Sequence, residues 1–462
     1  MAQGRANSSV EQESPGEGGI IEMSNKTILS VPLRRGLVMA LCLGLSMPAL
    51  AIPAFARKYG LRCTACHESW PVLNDFGRNF RDNGYQLRLG KDDVVTANPG
   101  YWPVAVHITP HYEYTSLTNQ TTDQGNKTLK SGGIADASMD LLTAGTLTKD
   151  ISFLVVPTGF ASDGEVELES YWASFSRVLG TDWLNIRVGK HEVDLPASPH
   201  RGISLASSYL VYDYHPGPSD NVASAFGLSE NQRGVEVTGH DRGSTMRYSV
   251  SIFSANDSLG SRHGLSSPSV YGHVQKYFQL DSDAVSQVAL GLWGAYANYP
   301  TSSLTSGGLP IPGTGSDLRS STRYGLEAQA WLLHAAAPLH LNLVYGHGSD
   351  NKDLYLGAAD RNGTWNGGFL EAIWVPAVDF LQLGLFARYD FIRNQTQPVS
   401  GTARSYNDQD QMTVGVRHTI AYSNRDEVGF HLEYSTLRAK GVSDDGSGVR
   451  ASTLFLGVDF LY

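Results

Sequence analysis

Residues 381–391 read LQLGLFARYDF, and their side chains alternate between two kinds. Every odd position is apolar, whereas most even positions, Arg388 and Asp390 among them, are polar or glycine. Successive side chains of a β-strand point to opposite faces, so this pattern predicts a strand with one apolar and one polar face. The same alternation recurs in residues 102–114 and 426–435.

The connections between such stretches alternate in length. We predict about sixteen strands between residues 102 and 462, joined in turn by tight turns such as 241–244 and by longer polar loops such as 117–132 and 194–231. Barrels of outer membranes have short turns at one end and long loops at the other. The last stretch, TLFLGVDFLY at 453–462, alternates and ends in an aromatic residue. The sequence therefore predicts an all-β fold, an antiparallel transmembrane β-barrel of about sixteen strands with both termini at the short-turn, periplasmic end.

Charge and the N-terminal segment set further limits. The formal net charge of −10 argues against a nucleic-acid partner, because binding phosphates needs a basic surface.

Residues 31–56 contain two arginines, a short apolar core and small residues, which is the pattern of a secretory signal peptide. We therefore divide the chain into an N-terminal extension with signal peptide (1–56), a short segment (57–98) and the barrel (99–462).

The short segment contains the two cysteines that follow the leader. Residues 57–71 read RKYGLRCTACHESWP, so that Cys63 and Cys66 are followed directly by His67. Cys-x-x-Cys-His is the attachment pattern of c-type haem: two thiols add to the haem vinyl groups, and the adjacent imidazole binds the iron. A redox dithiol usually lies in a βαβ fold, and half a zinc site needs two more ligands at close spacing. The pattern predicts one covalently bound haem c on Cys63 and Cys66, with His67 as axial ligand.

A short helix is predicted to follow the motif. Ser69 can cap it and Pro71 suits its first turn, while apolar residues from Val72 to Phe80 fall on one face. A segment of roughly 40 residues rarely buries a stable core by itself. We therefore expect this α-helical haem segment to plug the barrel, in the lumen or on its periplasmic side.

Residues 53–86, PAFARKYGLRCTACHESWPVLNDFGRNFRDNGYQ, followed by the predicted barrel, resemble the fused outer-membrane cytochrome–porin family. This family includes the iron oxidases of acidophilic and neutrophilic iron-oxidising bacteria, although not every member need oxidise iron. The resemblance spans nearly all of the chain after the leader. It implies thioether attachment at Cys63 and Cys66, proximal ligation by His67, and the outer membrane of a Gram-negative bacterium. Residues 184–196, LNIRVGKHEVDLP, also resemble a strand ending of anion-selective porins.

A sixth ligand to the iron would normally be Met or His. Parity places Met139, Met246 and Met412 on the lipid-facing side of their strands. His107 and His111 share a lumen-facing side on the first barrel strand, and we predict that one of them is the distal ligand. The alternatives are five-coordinate iron or a ligand from within the plug. Four further histidines have lumen parity: His191, His273, His340 and His431.

These features together predict an outer-membrane electron conduit. Its haem would take electrons one at a time from extracellular Fe(II), or another one-electron donor, through a water-filled lumen. A periplasmic c-type cytochrome or copper protein would accept them, which makes the chain an Fe(II):cytochrome oxidoreductase. Loop 194–231 carries Asp194, His200, Asp213, His215 and Asp220, whose oxygen and imidazole donors suit transient Fe²⁺ contact. Two alternatives stay open: a diffusion porin with a structural or sensory haem, and a conduit running outward to an extracellular acceptor.

Overall fold

The structure is a computed structural model, and it describes the residues given at the end of this paragraph. Most of residues 1–56, together with Cys63, lies outside this set, and so do most of residues 88–102. The predicted boundaries at residues 56 and 98 therefore stay predictions. The described residues are 55, 58–62, 65–69, 71–87, 94, 103–135, 139–159, 166–197, 202–214, 227–254, 268–300, 304–306, 309–311, 318–332, 337–351, 362–378, 381–395, 408–422, 427–440 and 448–461.

Sixteen antiparallel strands close into one barrel over these residues, and the last strand pairs with the first. The first two strands each have two segments; Pro110, which lacks an N–H, lies at the break in the first. The strands are β1 (Val104–Ile108 and His111–Thr122), β2 (Gly125–Ala135 and Met139–Thr148), β3 (Ile151–Gly159), β4 (Val166–Phe175), β5 (Asn185–His191), β6 (Gln232–His240), β7 (Met246–Ser254), β8 (Ser269–Gln279), β9 (Val285–Pro300), β10 (Leu318–Leu332), β11 (Leu339–Asp350), β12 (Gly363–Trp374), β13 (Leu381–Asn394), β14 (Gln409–Tyr422), β15 (Glu427–Ala439) and β16 (Val449–Leu461).

The predicted number of strands is confirmed, but the prediction of the first long loop is wrong. Residues 117–132 are not a loop: Gly125–Ala135 pairs with His111–Thr122 in a hairpin. The residues of Gly125–Ala135 are almost all exposed, so neither face needs apolar side chains. Because burial of one face creates the alternating pattern, a strand without a buried face carries no such signal.

The barrel is apolar outside and polar inside. Leu432 and Leu456 are 42 % and 40 % exposed, whereas Glu433 is only 1 % exposed. Closed barrels satisfy every backbone polar group between neighbouring strands, and an apolar exterior suits lipid rather than water. The predicted transmembrane β-barrel is therefore confirmed.

From His67, the last residue of the motif, the chain forms a hairpin of His67–Ser69 paired with Val72–Leu73 and continues as helix α1, Asp75–Asp82. The predicted start of this helix is wrong. Asn74 caps α1, because its side-chain oxygen accepts the backbone N–H of Gly77 at 2.9 Å. Hairpin and helix together are called the plug. No helix among the described residues is long and apolar enough to cross a membrane.

A second element enters the lumen from the connection between β5 and β6. The described residues 192–197 and 202–214 of this connection are called the inward loop, and they include helix α2, Leu210–Asp213. Val211 and Tyr212 of α2 are fully buried. They pack in an apolar cluster with lumen-facing Trp293 and Phe369. The lumen beside these strands is therefore filled with side chains, which differs from the water-filled lumen expected above.

Candidate functional site

The backbone around Cys66 is held against the start of α1. The Asn74 side chain donates to the carbonyl oxygen of Ala65 at 3.1 Å, and the Asn74 N–H donates to that of Cys66 at 3.0 Å. Gly77 packs on the Cys66 carbonyl, where any Cβ would overlap it. Burial raises the pKa of the Cys66 thiol to about 11, so it stays protonated near neutral pH. Cys63 lies outside the described residues.

The ring of His67 is oriented by its own hairpin. Its Nδ1 lies 3.0 Å from the carbonyl oxygen of Pro71. A carbonyl only accepts, so Nδ1 carries the hydrogen and Nε2 of the neutral ring carries the lone pair. Burial, aided by the charge of Arg417, lowers the pKa of His67 to about 4 and keeps the ring neutral. Metal-binding histidines commonly donate their other N–H to a carbonyl in this way. His67 therefore fits the role of an iron ligand.

The plug hairpin contacts one side of the barrel wall. Glu68 forms an ion pair with His340 at the start of β11. Val72 packs against a small apolar cluster that includes Ile373 of β12 and Phe386 of β13. These contacts fix the residues adjacent to His67 against the wall.

Helix α1 contacts a neighbouring part of the wall, strands β7–β9, near the short turns. Arg78 donates to Gln287 Oε1 at 2.9 Å, and its guanidinium lies 4.6 Å from the ring centroid of Tyr277. Asp82 pairs with Arg247 of β7 at 3.3 Å. Burial alone would raise the pKa of Asp82, but the positive charges of Arg247 and neighbouring Arg81 outweigh it and hold the pKa below 3.8. The Asn79 amide also donates to the Arg242 carbonyl in the β6–β7 turn, at 3.2 Å, which places α1 at the short-turn end.

Arg247 also joins the plug to the inward loop. Its second contact is with Asp194, at 2.9 Å. His273 bridges Asp194 and Glu327, with 2.9 Å on each side. Asp194, expected above among the groups that meet Fe²⁺, is thus buried inside the lumen and engaged in this network. The histidines predicted with it, His200 and His215, lie outside the described residues, and so does Asp220.

The inward loop is anchored across the lumen by Glu433 of β15. This carboxylate accepts the backbone N–H groups of Leu205 and Ala206 at 3.0 and 2.9 Å and the hydroxyl of Ser204 at 2.8 Å. From β13, Arg388 donates to the carbonyl oxygen of Ser208 at 2.7 Å. Sequence parity marked the charged positions of these strands as lumenal, but it could not show that they bind a loop.

The two predicted distal ligands lie on β1 and are already engaged. His107 is bonded through Nε2 to Asp459 at 2.6 Å and through Nδ1 to Asp140 at 3.2 Å. His111 donates from Nδ1 to the Thr109 carbonyl at 3.0 Å, and its ring stacks on Phe455. Their role as iron ligands stays a prediction. To bind iron, the His107 ring would have to break its hydrogen bond with Asp459 or Asp140.

Two methionines lie as predicted. Met246 and Met412 are 41 % and 52 % exposed, on the outer face. They therefore do not reach the lumen. Within the described residues, no group of three or more His, Cys, Asp or Glu side chains is arranged to hold a metal ion by itself.

An even-stranded closed barrel, an apolar exterior and a filled polar lumen define a transmembrane β-barrel of the outer-membrane class. No model of a protein family matches the sequence, and no curated protein does.

Solved structures with a similar course of the chain include an anion-selective porin from Comamonas acidovorans, 11 % identical with a TM-score of 0.49, covering 78 % of this chain and 99 % of the porin. The outer-membrane channel DcaP of Acinetobacter baumannii is 10 % identical, with a TM-score of 0.47 and coverage of 78 % and 97 %. OmpT of Vibrio cholerae, an outer-membrane protein in its trimer form, is 10 % identical, with a TM-score of 0.45 and coverage of 78 % and 99 %. Likeness at this level is no guide to solute or chemistry.

Proposed function

We propose that this chain is an electron conduit of the outer membrane, in which a haem c on Cys63, Cys66 and His67 is held inside the barrel by the plug. The observation that carries the proposal is the attachment of the motif segment to the lumen wall at two separate stretches of strands. Glu68 and Val72 contact β11–β13, while Arg78 and Asp82 contact β7–β9. A haem c, when bound, supplies an iron that is oxidised and reduced by one electron at a time.

The chain's own residues support this chemistry. The Pro71 carbonyl fixes the His67 tautomer that leaves Nε2 as the lone-pair nitrogen. The buried surroundings of His67 disfavour the imidazolium, so the ring is neutral at neutral pH, as an iron ligand must be. The contacts of α1 near the short turns would place the motif toward the periplasmic end, within reach of a soluble c-type cytochrome or copper protein.

The proposed donor is extracellular Fe(II) or another one-electron donor. The inward loop restricts the lumen with an apolar cluster around Tyr212, so bulk diffusion of solutes is a less suitable use of this barrel than electron transfer. A diffusion porin with a structural or sensory haem is the second candidate, favoured by the barrel architecture itself. A current running outward to an extracellular acceptor is the third.

The test is anaerobic stopped-flow absorbance of the purified, oxidised protein in detergent, mixed with Fe²⁺. Its control is the Cys63→Ser, Cys66→Ser double variant, which removes covalent attachment but leaves the barrel intact. Rapid appearance of a reduced c-type α-band in the wild type alone supports Fe(II) oxidation. A haem that Fe²⁺ leaves oxidised and dithionite reduces would exclude Fe(II) as donor, and a wild type without covalent haem would overturn the proposal.

A further inference from the structure

Cationic side chains cluster on the outer face of the barrel at its long-loop end. They are Arg393 at the end of β13, Arg438 and Lys440 at the end of β15, and Arg450 at the start of β16, and together they are called the basic rim. Arg438, Lys440 and Arg450 are exposed, and Arg393 is half-buried. The other ends of these strands are joined by short connections, so the basic rim lies at the extracellular end.

The basic rim lies just above the lipid-facing band of the barrel. Side chains four residues apart on a strand share a face, so Arg438 is on the same outer face as Tyr434, and Arg450 on the same outer face as Leu454. Tyr434 and Leu454 are exposed and belong to the apolar exterior. Four residues of a strand rise about 13 Å, which is about 10 Å along the membrane normal at the usual strand tilt. The two arginines therefore lie at the depth of lipid headgroups in the outer leaflet.

Arg438 and Arg450 face each other directly across neighbouring strands. They are cross-strand partners in the register of β15 and β16, and the partner of Arg450 on β1 is the uncharged Thr118. Like charges at directly opposite positions destabilise a sheet. Within the part of the chain that the structure describes, neither guanidinium has an ion pair or a hydrogen bond. An anion bound between the two guanidinium groups would remove their repulsion.

The carboxylates near the basic rim do not pair with these two arginines. Asp410 is the cross-strand partner of Arg438 on β14, but its carboxylate contacts Arg393 and, at 3.2 Å, Lys440. Asp408 accepts a backbone N–H at the end of β13 at 2.8 Å. Among the described residues, the positive charge that no carboxylate offsets is therefore that of the two facing arginines.

We propose that the basic rim binds the phosphate groups of lipid A, the phosphorylated glycolipid that anchors lipopolysaccharide in the outer leaflet of the outer membrane. A guanidinium donates parallel N–H bonds to phosphate oxygens, so the facing arginines suit one phosphate between them. The acyl chains of the lipid lie against the apolar face at Tyr434 and Leu454. Between the two levels, the outward hydroxyls of Thr436 and Ser452, 3.3 Å apart, can bond to the sugar. This inference goes beyond the function proposed above and does not depend on haem.

The test is native mass spectrometry of the purified full-length protein in detergent, titrated with lipid A. We expect the wild type to bind lipid A and the Arg438→Gln, Arg450→Gln double variant to bind it at least tenfold more weakly. The Arg438→Lys, Arg450→Lys double variant keeps both charges and should lose less affinity. Heat-modifiable migration in gels shows that each variant barrel is folded.

The matched control is the Lys149→Gln, Lys276→Gln double variant. It also removes two positive charges, but Lys149 lies in the turn between β2 and β3, and the Lys276 ammonium is 3.4 Å from Thr245 beside the β6–β7 turn. Both positions are at the periplasmic end, so this variant should bind lipid A as the wild type does. Lipid A treated with phosphatase should bind the wild type at least tenfold more weakly, and added NaCl should weaken the binding of intact lipid A.

Several results would overturn the proposal. They are equal affinity of the wild type and the glutamine double variant, an equal loss in the control variant, or undiminished binding of phosphatase-treated lipid A. Displacement of lipid A by an equal concentration of inorganic phosphate would assign the site to free anions rather than to a lipid. A glutamine double variant that loses lipid A only together with its oligomeric state would assign the basic rim to contact between copies of this chain.

Discussion

Tyr212 offers the sharpest test of whether the inward loop closes the lumen. Its ring is fully buried, 5.8 Å from Trp293 and 6.1 Å from Phe369 between centroids, and its hydroxyl donates to the Pro196 carbonyl at 2.5 Å. Replacing a buried aromatic residue with Ala costs about 3–5 kcal/mol. Since every ~1.4 kcal/mol is tenfold, Tyr212→Ala should raise the displaced population of the loop about a thousandfold.

The assay is ion current through single proteins in planar lipid bilayers at fixed voltage. Wild type should be mostly closed, and Tyr212→Ala should show frequent openings. Tyr212→Phe keeps the ring and loses one hydrogen bond, about 1 kcal/mol, so its open probability should rise only about fivefold. The matched control is Tyr434→Ala, because Tyr434 lies on the outer face and is 46 % exposed. If Tyr212→Ala and Tyr434→Ala give the same current, the loop does not close the lumen.

Three further changes test the plug. Arg247→Ala removes one cationic partner from each of two buried carboxylates, while Asp82 keeps Arg81 and Asp194 keeps His273. The cost should be about 1–3 kcal/mol, so limited proteolysis in detergent should cut the plug faster than in the wild type. Acid should weaken the same contact. The folded-state pKa of Asp82 lies below 3.8. The ionised carboxylate therefore contributes its full stabilisation above that pH, and this stabilisation is lost as pH falls through the folded-state pKa. Protease protection should therefore fall below about pH 4 in the wild type and depend less on pH in Asp82→Asn. Gly77→Ala forces a Cβ into the Cys66 carbonyl and should lower stability by about 1–3 kcal/mol, seen as a lower Tm. Gly133→Ala, where a Cβ meets open space, should leave the Tm unchanged.

The barrel could be predicted because burial leaves a period of two in the sequence. Leu385 and Tyr389 face outward, and Arg388 between them is almost completely buried in the lumen, as the alternation indicated. The same reasoning failed for Gly125–Ala135, which has no buried face to impose a pattern. It also misplaced the start of α1, because Ser69 and Asn74 are both acceptable caps and only the hairpin excludes the first.

The lumen could be predicted only in part. Parity indicated that His340 and Glu433 face inward, but their partners are far away in sequence. Glu433 binds backbone N–H groups more than 200 residues earlier, and Arg247 joins Asp82 to a third segment. Local sequence holds no record of such contacts, because each depends on which strands the closed barrel brings together.

The sequence by itself determined the alternating strands, the connection lengths and the Cys-x-x-Cys-His spacing, since these follow from local periodicity and from the chemistry of adjacent side chains. Only the tertiary structure decided that the inward loop fills the lumen, that His107 is engaged by carboxylates, and that His340 meets the plug beside His67. The physical reason is closure of the barrel, which turns one face of sixteen strands inward and brings residues from distant parts of the chain into contact.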